Sequence, residues 1–142
     1  MNSAPLRSVV LLDDERSFTN LLTQVLSDHL RCRVVAFTRP LDALAALPGL
    51  NPGLIVTDYH MPQLNGFEFI AKASALVPGV PFILITGHTL GVVDREELAT
   101  VTPLQSILFK PFKWQVLGAE IIRLWPDAGV TLTRDARTPP SG

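Results

Sequence analysis

Cysteine is almost missing from this chain. Cys32 stands alone among 142 residues, so no disulfide forms within the chain and a disulfide-stapled scaffold is excluded. Its neighbours Arg31 and Arg33 are of the kind that depress a thiol pKa, but Cys32 lies far in sequence from the acidic residues described below, and no redox role is expected of it. An excess of charge of one sign is missing as well: twelve Lys and Arg against thirteen Asp and Glu leave a formal charge of -1. Without a basic surplus, neither nucleic acid nor an anionic membrane is an expected partner. Nor does a long apolar run follow Met1-Asn2-Ser3-Ala4-Pro5 that would serve as a signal peptide, and the expected compartment is the cytoplasm.

What is present is a compact-domain composition, 47% hydrophobic over a length that suits one core. Ser8 to Asp13 reads as a short buried strand, and Phe18, Leu21, Leu22, Val25 and Leu26 then recur with helical spacing. Arg33 to Phe37 is a second strand. Pro40 opens a helix that carries Leu41, Leu44 and Leu47, and Pro48-Gly49 is expected to stop it. Gly53 to Thr57 is a third strand, followed by the turn-rich Met61-Pro62-Gln63-Leu64-Asn65-Gly66 and a helix from Phe67 towards Pro78-Gly79. Phe82 to Ile85 and Gln105 to Phe109 complete five strands, with a short helix expected around Asp94-Arg95-Glu96-Glu97 between them. Trp114, Leu117, Ile121, Leu124 and Trp125 form one face of the last helix, which leaves Val116 and Ile122 off it.

Strands alternating with helices imply βαβ units, so the expected fold is α/β: a doubly wound five-stranded parallel sheet of order 2-1-3-4-5 with five helices, flavodoxin-like. Residues 1–7 are an N-terminal extension, 8–126 the domain and 127–142 a flexible tail in this reading.

The strand ends carry the chemistry. Asp13 and Asp14 follow Val9-Val10-Leu11-Leu12, Asp58 follows Leu54-Ile55-Val56-Thr57, Thr86 follows Phe82-Ile83-Leu84-Ile85, and Lys110 follows Ile107-Leu108-Phe109. Parallel neighbours would bring all five to one sheet edge, where such sheets place ligands. Three converging carboxylates repel one another, and a hard divalent cation relieves this, with Mg²⁺ the expected ion. A carboxylate in that setting can attack phosphorus to give an aspartyl phosphate. Asp58, alone on the central strand, is the expected nucleophile, with Asp13 and Asp14 as metal carboxylates. Lys110 is then the cationic clamp and Thr86 a hydroxyl donor to a phosphoryl oxygen.

Taken together, Leu12-Asp13-Asp14-Glu15, Asp58-Tyr59-His60-Met61-Pro62, Asn65-Gly66, Thr86-Gly87-His88 and Lys110-Pro111-Phe112 resemble the response-regulator receiver domain of two-component signalling, over roughly residues 8 to 125. The resemblance implies that Asp58 takes phosphate from a histidine kinase or phosphotransfer protein. It also implies that the backbone carbonyl of His60 completes the metal site and that Thr86 and Lys110 read out the phosphate. Ile107 stands where many members carry Tyr or Phe, so Thr86 and the loop after it are expected to carry most of the readout. Val101-Thr102-Pro103 replaces the usual small-residue turn before the fifth strand.

Plainer readings exist for each residue alone. Asp13 and Asp14 would suit a helix N-terminus, Thr86 an N-cap, and Lys110 a solvated loop. His60 and His88 flank the expected site, whereas His29 suits a helix C-terminus. Two other function classes compete with the switch. A metal-dependent phosphohydrolase would need a general acid or base beside Asp58, and a pseudo-receiver acting without phosphorylation would not need the full acidic set. With no further domain after residue 126, output is expected through a protein target or a homodimer, on the face that includes Val116 and Ile122.

Overall fold

The computed structural model describes residues 7–87 and 96–129. Five strands, β1 (Ser8–Leu12), β2 (Arg33–Phe37), β3 (Pro52–Asp58), β4 (Phe82–Thr86) and β5 (Leu104–Phe109), form one parallel sheet in the order β2-β1-β3-β4-β5. Helices α1 (Arg16–His29), α2 (Pro40–Leu50), α3 (Gly66–Leu76) and α4 (Trp114–Leu124) cover it. Residues 96–98 are helical as well. The rest of the helix expected near Asp94, together with His88, the extension before Arg7 and the tail after Gly129, lies outside the described residues.

β1, β3 and β4 are apolar on successive residues because both sheet faces are covered, and alternation along them sorts the core into two layers. Val10, Leu12, Ile55, Phe82 and Leu84 point to the layer closed by Ala43 and Leu47 of α2 and Phe67, Ile70 and Ala73 of α3. Val9, Leu11, Leu54, Val56, Ile83 and Ile85 point to the other, closed by Leu22 and Leu26 of α1 and Leu117 and Ile121 of α4. Each such side chain contributes about 1.5–3 kcal/mol on burial.

Several local expectations change. Leu21 is 59% exposed, because the buried stripe of α1 runs through Thr19, Leu22 and Leu26 and leaves Leu21 beyond its edge. Thr19 is tolerated inside because its hydroxyl donates to the Arg16 carbonyl at 2.9 Å. The second helix continues past Pro48-Gly49 to Leu50 and ends at Asn51, whose φ of 51° breaks the helix. Pro48 lies inside the helix, where its missing N–H leaves the Leu44 carbonyl without the usual i+4 donor.

At the lower end of the sheet a 3₁₀ turn at Pro126–Ala128 follows α4, and Ala128 is fully buried, with its carbonyl accepting from Arg31 N–H at 2.7 Å. The packed chain therefore extends past Pro126. Ile122, expected off the core face, packs against the second layer and beside Gly129, where an added Cβ would lie 2.8 Å from its Cδ1. Val116 is 46% exposed, in line with expectation.

Candidate functional site

Register decides which strand ends meet. Leu12 pairs with Phe37 on one side and Thr57 on the other, so the next residues, Asp13 and Asp58, leave neighbouring strands side by side at the point where the winding direction reverses. Asp58 pairs with Ile85 and Thr86 with Phe109, which carries the edge on to Lys110.

Carboxylate oxygens of Asp13, Asp14 and Asp58 lie within 4.8 Å of one another. Asp13 and Asp58 are buried and Asp14 is exposed, so the cluster opens to solvent on the Asp14 side. Beside it lies a cleft of about 390 Å³ lined by Asp14, Thr38, Arg39, Pro40, Pro62 and Gln63.

Lys110 is the cation of the site. Its Nζ is 2.7 Å from Asp13 Oδ2 and 3.8 Å from Asp58 Oδ1, and its backbone N–H donates to the Thr86 carbonyl at 2.7 Å. The Lys110-Pro111 peptide bond is cis. Burial works against the charged amine, but the hydrogen bond from Lys110 to Asp13 and the carboxylates of Asp13, Asp58 and Glu15 outweigh it and raise its pKa above the ordinary lysine value.

The opposite shift in charge preference marks Asp58. Burial above all, then repulsion from Asp13, lifts its pKa from 3.8 to about 6, despite attraction to Lys110 and the hydrogen bond from Tyr59 N–H. A cation bound between Asp58 and Asp13 would relieve that repulsion.

The remaining expected residues among those described, Thr86 and His60, differ in burial. Thr86 is fully buried at the end of β4, one residue beyond the strand partner of Asp58. His60 is exposed in the β3–α3 loop, its ring edge-to-face on Tyr59 at 4.8 Å, and Tyr59 in turn packs on Phe67 at 5.0 Å.

Three supports have roles not assigned from the sequence, although Asn65-Gly66 was singled out there. Gly66 N–H donates to the Tyr59 carbonyl at 2.8 Å, and an added Cβ would lie 2.9 Å from the Asp58 carbonyl oxygen, so the chain returns against the back of Asp58 only with glycine there. Asn65 and Glu68 form a reciprocal capping box at the start of α3 with distances of 2.9 and 2.8 Å, for which the Asn-x-x-Glu spacing was an available signal. Finally, the Phe18 ring lies under the Lys110 amine, 4.5 Å from its centroid, and meets Phe112 edge-to-face at 6.0 Å. No spacing rule links Phe18 to Lys110 across 92 positions (110 less 18).

Among known families, the model of the response regulator receiver domain matches residues 9–122. The chain belongs to the response-regulator receiver family. It is 36% identical over 112 residues to the C4-dicarboxylate transport transcriptional regulatory protein DctD of Rhizobium meliloti, covering 79% of this chain and 23% of that protein. To the transcriptional regulatory protein FixJ of Bradyrhizobium diazoefficiens it is 32% identical, covering 80% of this chain and 54% of that one. The chain thus spans about a quarter of the first relative and about half of the second. In fold it matches a CheY-like receiver domain protein from Methanospirillum hungatei, with a TM-score of 0.78 at 20% identity over 87% of this chain and 96% of that one. The receiver domain is a module of two-component signal transduction, and the acidic cluster found here is where such domains bind Mg²⁺. Among the described residues, no helix is long and apolar enough to cross a membrane.

Proposed function

We propose that this receiver domain is a phosphoacceptor switch in which Asp58 takes a phosphoryl group from a histidine kinase or phosphotransfer protein and thereby changes binding to a downstream protein. The observation that carries the reading is the placement of Lys110: one amine bound to Asp13 and 3.8 Å from Asp58, over a cluster of three carboxylates. The donor set is all hard oxygen with an exposed member at the mouth, which fits Mg²⁺ held by Asp13, Asp14, Asp58 and the His60 carbonyl. Bound there, the ion would neutralise charge on the phosphoryl oxygens.

This chain's own residues supply the rest. An Asp58 carboxylate oxygen attacks phosphorus as the donor's P–N bond breaks, and the electron pair of that bond leaves with the donor imidazole. Lys110 turns from Asp13 to a phosphoryl oxygen and Thr86 donates its hydroxyl to another, so the ends of β4 and β5 sense the new charge. A phosphohydrolase reading is less well served, since the carboxylates beside Asp58 are the ones the proposed cation site uses and neither is left as general acid or base.

Incubation with a small acyl phosphate and Mg²⁺, followed by mass spectrometry, should add one phosphoryl group on Asp58. Asp58→Asn should take up none. Labelling of the variant, or of wild type in excess chelator, would overturn the assignment.

A further inference from the structure

Lys110 has a second neighbour besides the carboxylates, and it is not one that a metal ion competes for. Its Nζ sits 4.5 Å from the centroid of the Phe18 ring, while Phe112, two residues further along the same loop, braces that ring edge-to-face at 6.0 Å. Phe18 is half-buried in the first turns of α1, so its orientation is set by the helix that starts directly behind Asp13 and Asp14. In contrast, the 2.7 Å pair between Lys110 and Asp13 uses the same carboxylate that the proposed cation site requires. As Asp13 turns to a cation, the amine loses its closest partner and has open solvent available, since the Lys110 side chain is 24% exposed.

From this geometry we infer that Phe18 is a positioning residue: its ring face holds the Lys110 ammonium within reach of Asp58 when Asp13 no longer does. The inference rests on the phosphoacceptor reading. An aromatic face attracts an ammonium through its quadrupole and excludes water from that side, and neither effect is lost when a divalent ion enters next door. A leucine at position 18 would fill the same space against Phe112 but offer no such face.

Two measurements on the full chain test this. The first is the proton NMR position of the Lys110 ε-methylene, recorded without donor, with and without Mg²⁺. Ring current from Phe18 should place it upfield of free lysine in both states, and should do so in Phe18→Tyr but not in Phe18→Leu. The second is the rate of Asp58 phosphorylation by a small acyl phosphate at saturating Mg²⁺. Phe18→Leu should be slower by roughly three- to tenfold, Phe18→Tyr should recover most of the rate, and Phe18→Leu should have no further effect in a Lys110→Ala background.

An ε-methylene that returns to its free-lysine position when Mg²⁺ is added overturns the inference, as does an equal loss of rate in Phe18→Leu and Phe18→Tyr. If Phe18→Leu fails to fold, the wild-type spectrum with Mg²⁺ and the Phe18→Tyr rate still decide. Wild type that takes no phosphate from any donor removes the phosphoacceptor reading itself, a result separate from wild type that is labelled at the same rate as Phe18→Leu.

Discussion

Asp58 concentrates the conflict between folding and chemistry at a single residue. Its folded-state pKa of about 6 lies above the ordinary 3.8, mainly because burial disfavours the charge. At Asp58 the folded protein therefore binds more protons than the unfolded chain between these values, and this residue's own contribution to stability is full below about 4 and is lost as pH rises through 6. Asp58→Asn lacks this titration. In chelator, its stability gain over wild type should grow from near nothing at pH 4 to on the order of 2 kcal/mol at pH 7 by urea unfolding. A gain that stays flat over that range would mean Asp58 is not held in this way. Cys32 shows the same cause at a thiol: burial pushes its pKa up, against the lowering effect of hydrogen bonds with the backbone of Cys32 and Val9.

Among the elements, the β3–α3 connection matters most to the site. Gly66 opens α3 where the backbone passes against Asp58 and Tyr59, with Leu84 Cδ1 only 2.6 Å from where a Cβ would stand. Gly66→Ala should cost about 2 kcal/mol in thermal or urea unfolding, as overpacking does, and should slow Asp58 phosphorylation because the strain bears on the nucleophile's own peptide. Gly49→Ala is the control. That glycine lies in α2 with nothing within 4 Å of an added Cβ, and alanine there should be neutral or stabilising by about 0.5–1 kcal/mol. Equal destabilisation by both would show that close approach is not what selects Gly66. The element types themselves were legible from spacing, including the strands to within one or two residues. Helix faces were less so: the pattern of α1 counted Leu21 in and Thr19 out, because a hydrophobic period locates a stripe only to about one residue's rotation and a threonine that satisfies its own hydroxyl can enter it.

At the scale of the molecule, the exposed edge of the sheet suggests where a signal leaves. Phe109 on β5 and Val116 on α4 are 52% and 46% exposed, close to the strand ends that hold Thr86 and Lys110. Val116→Glu should leave stability within about 0.5 kcal/mol of wild type, as surface changes do, yet weaken self-association or target binding in analytical ultracentrifugation or pull-down of the phosphorylated protein. Ile122→Glu, which buries a charge beside Gly129, should instead lose more than about 2 kcal/mol and report on folding alone. Similar melting of both variants would count against this division of the α4 surface. Trp125 further secures the lower end of the sheet, with its ring on Gly53 and Arg7 stacked 5.3 Å above it. By itself the sequence determined the strands, their apolar character on both faces and the acidic, hydroxyl and lysine residues that end them, because these follow from local period and from residue type. It did not contain the distances among them. Strand order was legible too, from the βαβ alternation and the doubly wound rule. The residue-by-residue register that sets Asp13 beside Asp58, the return of Gly66 against Asp58 and the ring of Phe18 under Lys110 arise only when segments distant in the chain compete for the same space, and that competition is settled by packing the whole core at once.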